Sequence, residues 1–217
     1  MKDGYKTIEG YGEGEITINK SRFIGYAKPI EDEEEALEFI KAIQSMNKDA
    51  THNVYAYVLG EESNIQRFND DGEPSGTAEI PVLEVLKKED LRNVAVVVTR
   101  YFGGIKLGGG GLIRAYTKGA KLGIDGGNVV EMRCHIPIEI SIDYTALGKV
   151  ENYLNNKGII IESIEYLQAV KISLNILATE MDKITGDIYN LTNGDAKIIE
   201  LDKIFLPTKD GVRYLKK

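Results

Sequence analysis

Residues 91–124 read LRNVAVVVTRYFGGIKLGGGGLIRAYTKGAKLGI. The run Val94-Ala95-Val96-Val97-Val98-Thr99 is apolar, mostly β-branched and free of polar alternation, the pattern of a strand buried on both faces. Asn93–Arg100 is therefore read as a central strand. It ends in Arg100-Tyr101-Phe102-Gly103-Gly104. After Lys106-Leu107 come Gly108–Gly111, a glycine loop that leads into a helix from about Leu112 to Leu122. The segment carries Arg92, Arg100, Lys106, Arg114, Lys118 and Lys121 and no acid, although the protein has a formal charge of −7. Arg114, Lys118 and Lys121 stand at i, i+4 and i+7 and share one helix face.

Working outward, Glu15–Ile18 and Arg22–Ala27 are strand-like, and Pro29 closes the second of them. Glu31–Glu35 places acids in the first turn of a helix, where they complement the macrodipole. Ala36, Leu37, Phe39, Ile40 and Ile43 supply its apolar side. Asn53–Leu59 and Ile65–Phe68 are a strand and its partner, followed by the turn chemistry of Asn69–Gly76. Ser75 or Thr77 is placed to cap a helix through Leu86, which either holds Pro81 in its first turn or starts later. Gly126-Gly127 turn the chain into a strand, Val129–His135.

From Ile136 the order is strand (Ile138–Tyr144), helix (Ala146–Asn155), strand (Ile159–Tyr166), strand (Ala169–Ile176), helix (Glu180–Leu191) and strand (Ala196–Phe205). That βαββαβ succession is the ferredoxin-like pattern. The fold class is α+β in two domains, 1–135 and 136–217, with a loosely held tail from Pro207.

Bulk properties exclude several classes. The 217 residues contain no stretch near the roughly 20 apolar residues of a membrane span, and the start Met1-Lys2-Asp3-Gly4-Tyr5 has no signal-peptide core. One cysteine, Cys134, forbids an internal disulfide and fits the cytoplasm. Residues 1–135 hold 22 acids against 17 bases and residues 136–217 hold 12 against 10, so neither domain is basic as a whole. A nucleic-acid surface would have to be local.

The 91–124 segment is the candidate for such a surface. A glycine-rich helix start with nearby cations suits a phosphate. Arg100, Lys106, Arg114, Lys118 and Lys121 are the expected phosphate contacts. Gly103, Gly104 and Gly108, Gly109, Gly110 and Gly111 permit close approach, and Tyr101 or Phe102 is placed to stack on a base. The same glycines also suit close packing of strand and helix, and a basic helix face is often merely solvated. Gly103 and Gly108 have P-loop spacing, but Gly109-Gly110 replace the Lys-Ser/Thr that a nucleotide site needs, and no G-x-G-x-x-G occurs.

Catalytic signals are weaker. His52 is a candidate general base beside the turn residues Asp71, Glu73 and Ser75, which would give a hydrolase of phosphorylated or peptide substrates if they converged in a cleft. Asp70, Asp71, Glu73 and Glu79 are an acidic group of the type that holds Mg²⁺, but Asp-Asp-Gly-Glu-Pro-Ser is also favourable turn chemistry. No metal site and no cofactor is read from the chain, and Cys134 is read as a core strand residue.

At Lys20-Ser21-Arg22-Phe23-Ile24-Gly25, Thr51-His52-Asn53, Asp70–Ala78 (DDGEPSGTA) and above all Val98–Gly108 (VTRYFGGIKLG) the sequence resembles the IMPACT/YigZ family. The likeness covers almost all of the N-terminal unit, and the C-terminal unit is similar to the smaller domain of bacterial members. Glu79-Ile80 departs from the Gly-Arg expected in many relatives, so no basic role is carried to that spot. The resemblance implies an N-terminal α/β domain similar to the second domain of a small-subunit ribosomal protein, and a C-terminal domain similar to the ferredoxin-like domains of elongation factor G. It implies translation-related regulation, since eukaryotic relatives compete for a ribosome-associated activator of a stress kinase. The leading expectation is a non-enzymatic cytoplasmic regulator that binds RNA or a ribosome-associated protein. The alternatives are the His52 hydrolase and a protein-interaction module that docks through the C-terminal sheet face.

Overall fold

The computed structural model describes residues 4–60, 62–209 and 212–213. It divides into two compact units, Tyr5–Glu131 and a second built from Met132 onward together with Gly4.

The first unit contains, in order, β1 (Gly4–Ile8), β2 (Gly12–Ile18), β3 (Ser21–Pro29), α1 (Glu33–Met46), β4 (His52–Leu59), β5 (Ile65–Asn69), α2 (Glu79–Lys88), β6 (Val94–Tyr101) and α3 (Gly109–Gly126). Five strands form an antiparallel sheet in the order β2-β3-β6-β4-β5. The central strand is β6, buried from Val94 to Arg100 as the unbroken apolar run requires. One face of the sheet packs Phe23, Val54, Val96 and Val98 under Leu86 of α2 and Ala115, Tyr116 and Ile124 of α3. The other packs Tyr26, Tyr57, Ala95 and Val97 under Phe39 and Ile40 of α1.

Helix starts depart from expectation in two places. Asp32 caps α1 by accepting from the Glu35 N–H at 2.8 Å, worth about 1 kcal/mol. Neither Ser75 nor Thr77 caps α2. Ala78 occupies the cap position without a side-chain bond, while Thr77 Oγ1 donates to the Pro74 carbonyl at 2.6 Å and the Gly76 N–H donates to Glu79 Oε1 at 2.8 Å. The α3 helix starts at Gly109 rather than Leu112, so three of the four glycines form its first turn instead of a loop. Glycine's low helix propensity is overridden because α3 docks backbone-to-backbone on β2 and β3. A methyl built on Gly25 would lie 1.8 Å from the Gly119 carbonyl oxygen, and one on Gly123 would lie 2.8 Å from the Gly25 carbonyl carbon.

The second unit is entered by β7 (Val129–Ile142) and continues with α4 (Tyr144–Asn156), β8 (Ile161–Tyr166), β9 (Val170–Leu177), a 3-10 turn at Ala178–Glu180, α5 (Met181–Leu191), β10 (Lys197–Glu200), β11 (Ile204–Lys209) and β12 (Val212–Arg213). The antiparallel order β10-β7-β9-β8 is ferredoxin-like. Ile138, Ile140, Ile172 and Leu174 of the sheet bury Val150 and Leu154 of α4 and Ile184 and Ile188 of α5. Two boundaries differ from the sequence reading. The strands expected at Val129–His135 and Ile138–Tyr144 are one strand, and Pro137 is tolerated within it just beyond the end of the β10 ladder, at Ile138. The strand expected at Ala196–Phe205 is two, β10 and β11. The tail expected to be loose contributes Pro207–Lys209 and Val212–Arg213 to strands; its other positions lie outside the described residues. Among the described residues no helix is long and apolar enough to cross a membrane.

Candidate anion-binding surface

Antiparallel register gathers the candidate residues at one end of the first sheet. Arg22 faces Tyr101 and His52 faces Arg100 across adjacent ladders. The loop after β6 is tied down there: the Phe102 N–H donates to Thr51 Oγ1 at 3.0 Å, and the Gly103 N–H donates to Ser21 Oγ at 3.1 Å. A methyl on Gly103 would strike the Lys20 carbonyl at 2.0 Å, so this glycine is required by the β2–β3 turn against it. Built methyls on Gly109 and Gly72 would stand 3.8 Å from Thr77 and His52 respectively, which places the 70–77 turn between α3's amino end and β4.

Arg100 is not a surface cation. It is 6% exposed, and its Nη1 donates to Glu73 Oε1, itself on a residue 5% exposed. Tyr116 OH donates to the same oxygen at 2.8 Å. Burial first, and the Glu73 charge second, push the Tyr116 phenol well above its usual range, so it stays a donor. The guanidinium also lies over Phe23 at 5.5 Å and Phe102 at 5.3 Å. Arg100, Glu73 and Tyr116 thus pin the 70–77 turn to β6 and α3. An ion pair this deep has little net stabilising value, but losing one partner strands a buried charge.

The other sites sort just as clearly. Arg92 is buried and paired with Asp90 at 3.1 Å. Lys121 bridges Glu89 at 2.7 Å and Asp125 at 2.9 Å; burial works to lower its pKa, but these bonds hold it above the ordinary lysine range. Tyr101 is half-buried and donates to Asn47 Oδ1 at 2.9 Å on the α1 side, whereas Phe102 is 46% exposed. Of the two aromatics, Phe102 is the exposed one, with the Arg100 guanidinium over its ring. Lys106, Arg114 and Lys118 are exposed and make no ion pair among the described residues. Lys20, exposed in the β2–β3 turn beside Gly103, joins them. Sequence spacing did not associate it with Lys106, because six elements, β3 through β6, separate them in the chain.

The glycines divide by cause. Gly104 and Gly108 have φ of +83° and +71°, a conformation that favours glycine. Gly111 would meet Leu107 Cβ at 2.9 Å. Gly109 and Gly110 have ordinary helical backbone and room for a methyl, the nearest atoms being Thr77 Cγ2 and Arg114 Nη1, each at 3.8 Å. No packing reason accounts for them. The three free N–H groups of Gly109–Gly111 open an 18-residue helix with no side-chain cap and no acid in its first turn.

The residues read as catalytic do not form a nucleophile–base pair. His52 Nδ1 lies 2.7 Å from the Asp71 carbonyl, which can only accept, so Nδ1 carries the proton. Its Nε2 is 3.8 Å from Glu73 Oε1, an oxygen already shared by Arg100 and Tyr116. Asp71 Oδ2 accepts from the Asn53 N–H at 2.6 Å. Ser75 is exposed and has no hydrogen bond to His52 among the described residues. The acidic turn is likewise spent on its own geometry, with Asp70 Oδ1 accepting from the Gly72 N–H at 3.0 Å. Among the described residues no group of three or more His, Cys, Asp or Glu is placed to hold a metal ion.

Comparison with known proteins adds family context to this geometry. Residues 19–124 match the Impact N-terminal domain, and residues 140–195 match a domain of unknown function, DUF1949. The chain is 44% identical over 216 residues to the IMPACT family member YvyE of Bacillus subtilis, covering 100% of this chain and 99% of that one. It is 36% identical over 103 residues to Protein IMPACT-B of Xenopus tropicalis, 45% of this chain and 32% of the relative. A crystal structure described as a hypothetical protein superposes with a TM-score of 0.59 at 25% identity, covering 93% of this chain and 99% of that one.

Proposed function

The chain belongs to the IMPACT family, and from that footing we propose that it is a non-enzymatic regulator that binds RNA in a translation-related role, with the amino end of α3 as its phosphate-binding surface. The observation that carries the reading is the bare first turn of α3. Gly109 and Gly110 leave the backbone uncovered where a methyl would fit, beside the exposed cations Lys106, Arg114 and Lys118, which make no ion pair among the described residues. A phosphate accepts from the free N–H groups, and the cations neutralise its neighbours along the strand. Phe102, exposed at the rim, gives one base a stacking platform. Lys20 extends the positive edge on the β3 side.

The buried Arg100 and the bridged Lys121 make no phosphate contacts, and Arg92 makes none either. Contacts from all six cations of 91–124 would give roughly a thousandfold loss of affinity between about 50 and 200 mM salt; three contacts give about 20- to 40-fold. The test is titration of a single-stranded RNA at those two salt concentrations. The Lys106→Ala/Arg114→Ala/Lys118→Ala variant should bind more weakly and lose about 2 from its log–log salt slope. A variant that bound as tightly as the parent, with the same slope, would remove α3 from the RNA surface. Ribosome co-sedimentation carried by 136–217 alone would favour the protein-interaction reading instead.

A further inference from the structure

The second unit holds a cavity of about 250 Å³ at the end of β9. Its size is just under the roughly 300–1,000 Å³ of pockets for drug-sized ligands, which suits a single small metabolite. His135, only 2% exposed, borders it. The ring's Nδ1 lies 2.8 Å from the Arg133 carbonyl and so carries the proton, which leaves Nε2 an acceptor with no hydrogen bond among the described residues. Burial, the largest influence, lowers the His135 pKa and keeps the ring neutral near pH 7. Arg213 lies on another wall. One of its nitrogens is held by Glu162, which also accepts from Asn175 Nδ2 at 2.9 Å, while its Nε–H is buried without a partner. Glu180 stands exposed at the rim with no cation partner among the described residues. Half-buried Ile159, Ile160 and Leu177 supply an apolar wall. Lys157 also borders the cavity, but its ammonium lies over the Tyr153 ring at 5.8 Å.

The unfilled groups define a ligand. A buried guanidinium N–H wants a carboxylate oxygen, an unpaired carboxylate and a neutral imidazole nitrogen want an ammonium, and the aliphatic wall wants a short apolar chain. We propose that the cavity binds a small aliphatic α-amino acid, with its carboxylate on Arg213, its ammonium between Glu180 and His135, and its side chain on Ile159, Ile160 and Leu177. The zwitterion adds no net charge to a site whose Arg213 is already balanced by Glu162.

Isothermal titration of the full-length chain tests this with L-leucine as the probe, alongside 4-methylpentanoate, which lacks the ammonium, and 3-methylbutylamine, which lacks the carboxylate. L-leucine should bind saturably and each truncated analogue at least about tenfold more weakly. Glu180→Gln should weaken L-leucine by about tenfold while leaving 4-methylpentanoate unchanged. Arg213→Gln should weaken L-leucine and 4-methylpentanoate alike and spare 3-methylbutylamine, a split that general unfolding would not produce. No saturable heat with L-leucine up to about 10 mM, equal binding of the des-amino analogue, or variants indistinguishable from the parent would each overturn the assignment.

Discussion

The two ends of α3 use the same amino acid for opposite purposes. Toward the carboxyl end, Gly119 and Gly123 lie against Gly25 of β3, where added methyls would come within 1.8–2.8 Å of neighbouring atoms. There glycine exists so that helix and strand can touch. At the amino end, Gly109 and Gly110 face space in which a methyl fits. There glycine exposes N–H groups that no described residue uses. The difference shows that a glycine-rich segment has to be judged one residue at a time, by what a side chain would meet.

The largest expected effect lies in the network that separates the two ends. Glu73→Gln leaves Arg100 buried with its charge unbalanced and should destabilise the first unit by about 3–5 kcal/mol, measured by urea unfolding. If the variant matches the parent, the Arg100–Glu73–Tyr116 group does not hold the 70–77 turn. Next comes the packing end. Gly25→Ala should cost about 3 kcal/mol, because the clash is with backbone that cannot rotate away; a neutral result would mean that α3 does not sit on β3 as described. Lys121→Ala, by contrast, breaks two partly exposed surface bridges and should cost less than about 1 kcal/mol, with RNA affinity at moderate salt largely retained. A loss of binding as great as that of Arg114→Ala would return Lys121 to the phosphate surface.

A pH effect sharpens the contrast between the two units. The folded His135 pKa is depressed by burial, so the unfolded chain takes up a proton first as the pH falls. Stability is therefore full above the ordinary histidine value of about 6.5 and declines below it. Melting of the second unit should drop between pH 7.5 and 5.5, and His135→Gln should flatten that drop. An unchanged slope would mean that the ring is not buried neutral.

Much of the fold was legible in order. The run Val94–Thr99 announced a strand covered on both faces, and the βαββαβ succession announced the second unit, because both depend on local pattern. The site was legible only in part, because charge pairing is a long-range property. Segment 91–124 is free of acids along the chain but not in space. Arg100 meets Glu73, 27 residues earlier, and Lys121 meets Glu89, 32 residues earlier. Periodicity correctly put Arg114, Lys118 and Lys121 on one face yet had no means of showing that Lys121 was already engaged. The start of α3 was missed because three glycines argue against a helix until its docking on β2 and β3 is known.

The most direct measurement is the double variant Gly109→Ala/Gly110→Ala, followed by both thermal unfolding and RNA titration. Methyls there favour the helix and meet no clash, so stability should rise by roughly 0.5–1 kcal/mol per site. They also cover the N–H groups, so RNA affinity should fall even as the fold becomes more stable. Raised stability with undiminished RNA binding would contradict the claim that the amino end of α3 is left bare for a phosphate.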